Sequence, residues 1–337
     1  MTPTRTISNP GMRGVARAQR GLTLVELLVA LTVSLVLVLA AAALFTGTSG
    51  SQRTLDELST ANESGAFALR TLGRDLSNAG FYPTVRGETA DLNTPSRYLN
   101  VTAQAAYDAG IFGCEGAAFD PATGTCGTSV AGAPDALVIG YFTSDAFGTS
   151  VGQRADCEGN DSAGAAANAT RVGTGAATLP PLRPLFVANR YQLTAAQTTT
   201  LNGRSTTTRS LACDGNGTTG AVFTPLVSGI DDLQLTYGVF ADATRVPARF
   251  YTATEVSGLG SVTISGRAMT AWERVAAVRL CVVARTFQTS AALAPTASPP
   301  TYTDCDGTVV TNAAGDSSLR KTYVQVFGVR NRQSATY

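Results

Sequence analysis

The chain has 337 residues, 44% hydrophobic and 15% charged, with 34 Gly, 14 Pro, 6 Cys and no His. Its 25 Lys and Arg stand against 24 Asp and Glu, a formal net charge of +1, so no overall polyanion-binding field is expected. Without histidine, no Ser-His or Cys-His nucleophile pair can be assembled, and with no CxxC pair either, a typical zinc site is not expected.

The first twenty residues carry Arg5, Arg13, Arg17 and Arg20 and no acidic residue. An apolar run of about 24 residues follows, from Leu22 to Phe45, long enough to cross a bilayer as a helix. The positive-inside rule keeps the arginines in the cytoplasm and exports the bulk of the chain. One carboxylate, Glu26, interrupts the run. A charge at membrane depth costs about 2.5–3.5 kcal/mol at the helix centre and less one turn from the edge, so it marks a function. An ordinary secretory signal cut near Ala40–Ala43 would have a shorter apolar core. A plain anchor explains the length and the arginines but leaves Glu26, beside Gly21-Leu22, without a role.

Beyond the run, Leu55, Leu58, Asn62, Gly65, Leu69, Leu72, Leu76 and Ala79 recur at spacings of three and four, the period of an amphipathic helix. Arg53, Asp56, Glu57, Glu63, Arg70, Arg74 and Asp75 are expected mostly on the opposite face. The pattern predicts one helix from Leu22 to Asn78, ended by Gly80 and Pro83. Its first half is membrane or fibre core, and its second half packs on a head.

Residues 81–337 read as β-rich. Strand-like runs are Ala136–Phe142, Leu182–Ala188, Ala221–Val227, Leu233–Val239, Val275–Arg285 and Thr322–Arg330. In the last, Val324 and Val326 oppose Tyr323 and Phe327, which suggests a strand covered on both faces. Asn160–Gly175, Asn202–Thr208 and Thr286–Tyr302 read as surface loops. Trp272, the lone tryptophan, is expected to anchor packing at the start of an apolar strand.

The cysteines fit an exported compartment. Neighbourhood along the chain suggests Cys114–Cys126, Cys157–Cys213 and Cys281–Cys305, one of 15 connectivities that six cysteines allow. The carboxylate pairs Asp231-Asp232 and Asp304/Asp306 are expected to form turns, and the only lysine, Lys321, precedes a strand, so no enzyme is expected. Asp156–Asp161, Asp214–Gly217 and Asp304–Gly307 offer hard oxygen donors for calcium, but none has a complete twelve-residue calcium loop. Ordinary turns are the favoured reading, with no cofactor and no metal.

Gly21 followed by Leu-Thr-Leu-Val-Glu-Leu-Leu-Val-Ala-Leu resembles the class III signal of type IV prepilins. The resemblance implies that prepilin peptidase cuts after Gly21, that Leu22 becomes the N-methylated first residue, and that Glu26 is the family's assembly glutamate. Asn62–Phe81, Val227–Val239, Trp272–Leu280 and the tail from Tyr323 to Asn331 resemble, in order, blocks of the minor pilin family PilW. The fold implied is α+β: a long pilin helix, transmembrane over residues 22–45, packed on an antiparallel disulfide-bonded head, behind a leader of residues 1–21.

The function implied is a minor pilin of the type IV pilus that primes assembly in support of twitching, adhesion or DNA uptake. It would sit in the inner membrane with a periplasmic head, then at the fibre tip. Its partners would be other minor pilins, the major pilin, prepilin peptidase, the assembly platform and a tip adhesin; nucleic acid is not indicated. A minor pseudopilin of type II secretion, or a ligand-binding tip adhesin, is the alternative.

Overall fold

The computed structural model describes residues 23–81, 109–142, 155–160, 186–201, 204–217, 220, 222–287, 299–313 and 316–333. Helix α1 spans Leu24–Asn78. Two compact units divide the chain, Met1–Gln52 and Arg53–Tyr337. The second contains the rest of α1 and the head.

The head's strands are β1 (Ile111–Cys114), β2 (Phe119–Asp120), β3 (Thr125–Cys126), β4 (Ala136–Phe142), β5 (Phe186–Leu193), β6 (Gln197–Leu201), β7 (Arg204–Thr208), β8 (Ser210–Gly215) and β9 (Thr224–Ser228). They continue with β10 (Ile230–Phe240), β11 (Pro247–Tyr251), helix α2 (Ala253–Gly258), β12 (Val262–Ile264) and β13 (Arg267–Met269). A 3-10 turn, Trp272–Arg274, leads into β14 (Val275–Arg285), then β15 (Thr301–Thr303), β16 (Val309–Thr311), β17 (Arg320–Gly328) and helix α3 (Arg330–Gln333). A five-stranded sheet has the order β1-β4-β5-β8-β9 and a four-stranded sheet the order β11-β10-β14-β17. Every pairing within both is antiparallel.

Both sheets and the second half of α1 share one core. Leu69, Leu72 and Leu76 from the helix meet Ile139, Val187 and Tyr191 from the five-stranded sheet and Leu233, Leu235 and Leu280 from the four-stranded one. Leu72 and Leu76 are fully buried, and each such side chain contributes about 1.5–3 kcal/mol of hydrophobic stabilisation. Small residues let the helix approach β17. A Cβ on Gly65 would overlap the Tyr323 ring, and one on Gly73 would overlap Phe327.

The buried face of α1 departs from expectation at both ends: Leu55, expected on it, is 65% exposed and Asn62 is exposed, whereas Asp75, expected opposite, joins it. Asp75 turns toward the sheets, where the Tyr191 hydroxyl donates to its Oδ2 at 2.6 Å and the Asn189 amide donates to the same oxygen. Burial pushes its carboxyl pKa up, against the pull of those two donors. At the end of α1, the Asn331 amide donates at 3.1 Å to the Asn78 and Ala79 carbonyls, satisfying helix-terminal acceptors.

Several strand and loop expectations need correction. Val324 and Val326 are 49% and 52% exposed, so β17 is covered by the helix on one face only; it is an edge strand, and the described residues leave its other face open. The Thr-rich stretch within Asn202–Thr208 forms β7 and pairs with β6; residues 202–203 lie outside the described residues. The hairpin forms because Thr suits a pleated surface without being apolar. Tyr302 belongs to β15, paired with β16, whereas residues 288–298 lie outside the described residues. The strand expected at Leu182–Ala188 runs instead over Phe186–Leu193, with residues 182–185 outside the described set. Asp214 and Gly215 end β8, where Asp214 is buried in an ion pair with Arg190 at 3.2 Å. Asp231 lies in β10 and takes Arg320 at 2.6 Å and Arg285 at 3.5 Å, so it joins strands and does not form a turn.

Three glycines knit the end of α1 to a sheet edge. The Gly80 N–H donates to Gly140, and the Gly140 N–H donates to Gly110, both at 2.9 Å. Gly110 has φ +70, and a Cβ there would meet the Gly80 backbone. Gly110→Ala is therefore expected to destabilise the head by about 1–2 kcal/mol from the left-handed backbone, with the overlap on Gly80 adding to it. Urea unfolding followed by circular dichroism would measure the loss.

Candidate functional site

The first unit is described from Thr23. From Leu24 to Phe45 its large apolar side chains are between 53% and 74% exposed. Glu26 is the sole charged residue between Leu24 and Gln52. Hydroxyls in the segment are turned back onto the helix. Thr32 donates to the Val29 carbonyl at 2.9 Å, Ser34 to Leu31 at 2.9 Å, Thr46 to Ala43 at 3.0 Å and Ser49 to Phe45 at 2.7 Å. This back-bonding removes the donors that hydrocarbon would leave unsatisfied. The helix is the one element among the described residues long and apolar enough to cross a membrane.

Glu26 makes a reciprocal cap with Thr23. The Thr23 backbone N–H and hydroxyl donate to Glu26 Oε2 at 3.3 Å, and the Thr23 hydroxyl oxygen accepts from the Glu26 N–H at 3.2 Å. This capping box satisfies orphan donors at the helix start. Sequence reasoning gave Glu26 an assembly role and missed this one, although Thr23-Leu24-Val25-Glu26 carries the pattern. Gly21 and Leu22 lie outside the described residues.

In the head, the six cysteines form three bonds. Cys114 of β1 joins Cys126 of β3, with Cα atoms 5.5 Å apart. Cys157 joins Cys213 of β8 at 6.3 Å, and Cys281 of β14 joins Cys305, between β15 and β16, at 5.7 Å. Each ties a loop or short hairpin to a sheet strand. Trp272 packs on Tyr237 and Phe112, with ring centroids 5.0 Å away in each case, and acts as a packing anchor.

The acidic loops use their carboxylates on backbone. Asp156 Oδ1 accepts from the Glu158 and Asn160 N–H groups at 3.0 and 2.9 Å, and Oδ2 accepts from Gly217 at 2.8 Å. Asp304 Oδ1 accepts from Asp306 and Thr308 at 3.0 and 2.8 Å. Among the described residues, no group of three or more His, Cys, Asp or Glu is placed to hold a metal ion.

Sequence reasoning also missed Asp135. It is 3% exposed and accepts from the Gly116 and Leu235 N–H groups, both at 2.7 Å, linking a loop to the middle of β10. Burial pushes its carboxyl up to about 7, the two backbone donors opposing that rise.

A bilayer-length apolar helix with one capped carboxylate is thus followed by a disulfide-bonded antiparallel head. Residues 16–42 match the family model described as the prokaryotic N-terminal methylation motif, and residues 192–331 match that of type IV pilus-assembly protein W, PilW. The chain thus carries a prepilin methylation motif near its start and a PilW-family segment in its second half. Three of the four PilW-like blocks seen in the sequence fall inside the matched segment; Asn62–Phe81 precedes it. Among solved structures, the chain is similar to the type IV-like pilin TTHA1219 from Thermus thermophilus, at 12% identity and a TM-score of 0.34, over 83% of this chain and 98% of that one. No curated protein matches it.

Asp135 sets a pH dependence. Its carboxyl is near 3.8 when unfolded and about 7 when folded, so the folded state holds the extra proton between these values. Stability contributed by that proton is full below pH 4 and is lost as pH rises toward 7, by up to about 4 kcal/mol. Asp75 and Asp232 are also raised and act in the same sense. Asp135→Asn is expected to flatten the decline between pH 4 and 7, read from urea midpoints of both proteins across that range.

Proposed function

We propose that the protein is a minor pilin of the type IV pilus, acting in the priming and assembly of the fibre and not as an enzyme. In this reading prepilin peptidase removes residues 1–21 after Gly21, and Leu22 becomes the methylated N-terminus. The helix of residues 22–45 is first held in the inner membrane with the head, residues 81–337, in the periplasm. It is then extracted and buried among the helices of other minor pilins and the major pilin at the fibre tip. The assembly platform and a tip adhesin are the remaining partners.

One observation carries the reading: an apolar helix left bare by the described chain, with every charge excluded except Glu26. Such a surface needs lipid or other apolar helices around it. A new α-amino group at Leu22, with a reference pKa near 7.7–8, would be largely protonated. Glu26, one turn away, supplies the opposite charge, within the subunit or across to a neighbour. In a water-poor helix bundle, an unpaired charge is strongly penalised, so the pairing fixes register. The PilW-matching segment supports the pilus over a type II secretion apparatus.

Mass spectrometry of the protein from native membranes should show a chain beginning at Leu22 with one added methyl group. An intact leader, or a start near Ala40–Ala43, would overturn the reading. The cap and the charge are separable. Glu26→Gln keeps an acceptor for the Thr23 N–H but removes the charge, whereas Glu26→Ala removes both. If charge pairing drives assembly, both variants should be depleted at least tenfold from sheared pili while remaining in the membrane. Unchanged recovery of Glu26→Gln would assign the residue to helix capping alone.

A further inference from the structure

Strand β17 separates two surfaces of opposite charge. Its side chains alternate between faces. Tyr323, Gln325 and Phe327 line a groove of about 640 Å³ against α1, whose rim is formed by Arg70, Arg74 and Arg330. Thr322 and Val324 line a cleft of about 660 Å³, bordered by the carboxylates of Glu115, Asp304 and Asp306 with one cation, Arg279. Among the described residues, no carboxylate lines the groove. Arg70 and Arg74 are exposed and stand one helical turn apart, and Asp306 is exposed on the cleft side. Val324 and Val326 add uncovered apolar surface to that side.

Arg70 and Arg74 on the rim, beside the Tyr323 and Phe327 rings, suit an anionic partner with some apolar area. A long nucleic acid is the poorer fit. The chain's formal net charge is only +1, and the acidic cleft across the same strand would repel a polyanion. Carboxylates on a protein surface fit better, and this chain presents them beside Val324. We infer that the arginine groove of one subunit takes the acidic face of β17 in a second copy, forming a head-to-tail contact. Groove and cleft differ, so the contact is heterologous: each copy of a pair leaves one half unused, and further copies add to form a ring or an open filament. A small, charged contact of this kind is weak and salt-sensitive. The inference goes beyond the minor-pilin reading and can fail without it, because it concerns the heads and not leader removal.

The test is sedimentation equilibrium of the full-length chain in detergent micelles. Wild type should associate with increasing concentration, about tenfold more weakly in 500 mM than in 50 mM salt. Arg70→Glu/Arg74→Glu and Asp306→Lys should each weaken association about tenfold when alone. Mixed together they should associate again, because the first retains its cleft and the second its groove. A wild type monomeric throughout would overturn the contact, as would association that ignores both charge reversals and is driven by the apolar helix. A labelled single-stranded oligonucleotide bound by wild type but not by Arg70→Glu/Arg74→Glu, with no recovery in the mixture, would overturn it in favour of nucleic acid.

Discussion

The head is organised by how closely residues 53–78 of α1 can approach two sheets at once. Leu69, Leu72 and Leu76 supply the apolar contact, while Gly65 and Gly73 leave room for the Tyr323 and Phe327 rings. Asp75 adds direction. Its carboxylate takes hydrogen bonds from Tyr191 and Asn189 on β5, a strand of the other sheet. Apolar packing alone tolerates a helix rotated or slid by part of a turn, whereas a buried carboxylate with two specific donors does not, since losing either leaves a polar group without water or partner. Docking of the helix thus sets where both sheets meet.

Along the same helix the chemistry changes sharply. From Leu24 to Phe45 the side chains are apolar on every side, and hydroxyls are folded back onto carbonyls. From Ala61 to Ala79 only one stripe is buried, and charged residues occupy much of the remainder. An all-round apolar helix is soluble only in lipid or among its own kind, whereas a striped one belongs on a globular surface. One element therefore serves two solvents, and the sequence pattern says where one ends and the other begins.

That boundary was legible because periodicity and hydropathy are local signals. The strands were less so. Ser210–Gly215 has only three apolar residues, yet β8 is an interior strand of its sheet and buried from Leu211 to Gly215. The Thr-rich stretches of β6 and β7 lack apolar alternation, so turn composition masked a hairpin that Asn202-Gly203 could have signalled. Asp75 carried a charge that placed it on the wet face by pattern, and only the partners brought by β5, more than a hundred residues later, explain its burial. The Thr23–Glu26 cap, by contrast, is plain in four consecutive residues, Thr23-Leu24-Val25-Glu26, because a capping box is a local pattern.

The observed cap and the proposed charge pairing at Glu26 are compatible for a physical reason. In the chain as described, its carboxylate is engaged with Thr23 at the first turn of the helix, where the helix dipole also favours negative charge. A carboxylate has room for several donors, so accepting the Thr23 N–H does not exhaust it. In the proposed processing, the new ammonium would belong to the residue next to Thr23 in sequence, close along the chain to the capped carboxylate. The cap holds the side chain at the helix tip before any such amine exists, and this preorganisation lowers the entropic cost of later pairing. A lone glutamate further down the helix would have neither a cap to orient it nor an amine within reach, and its charge would then oppose membrane insertion and fibre packing alike.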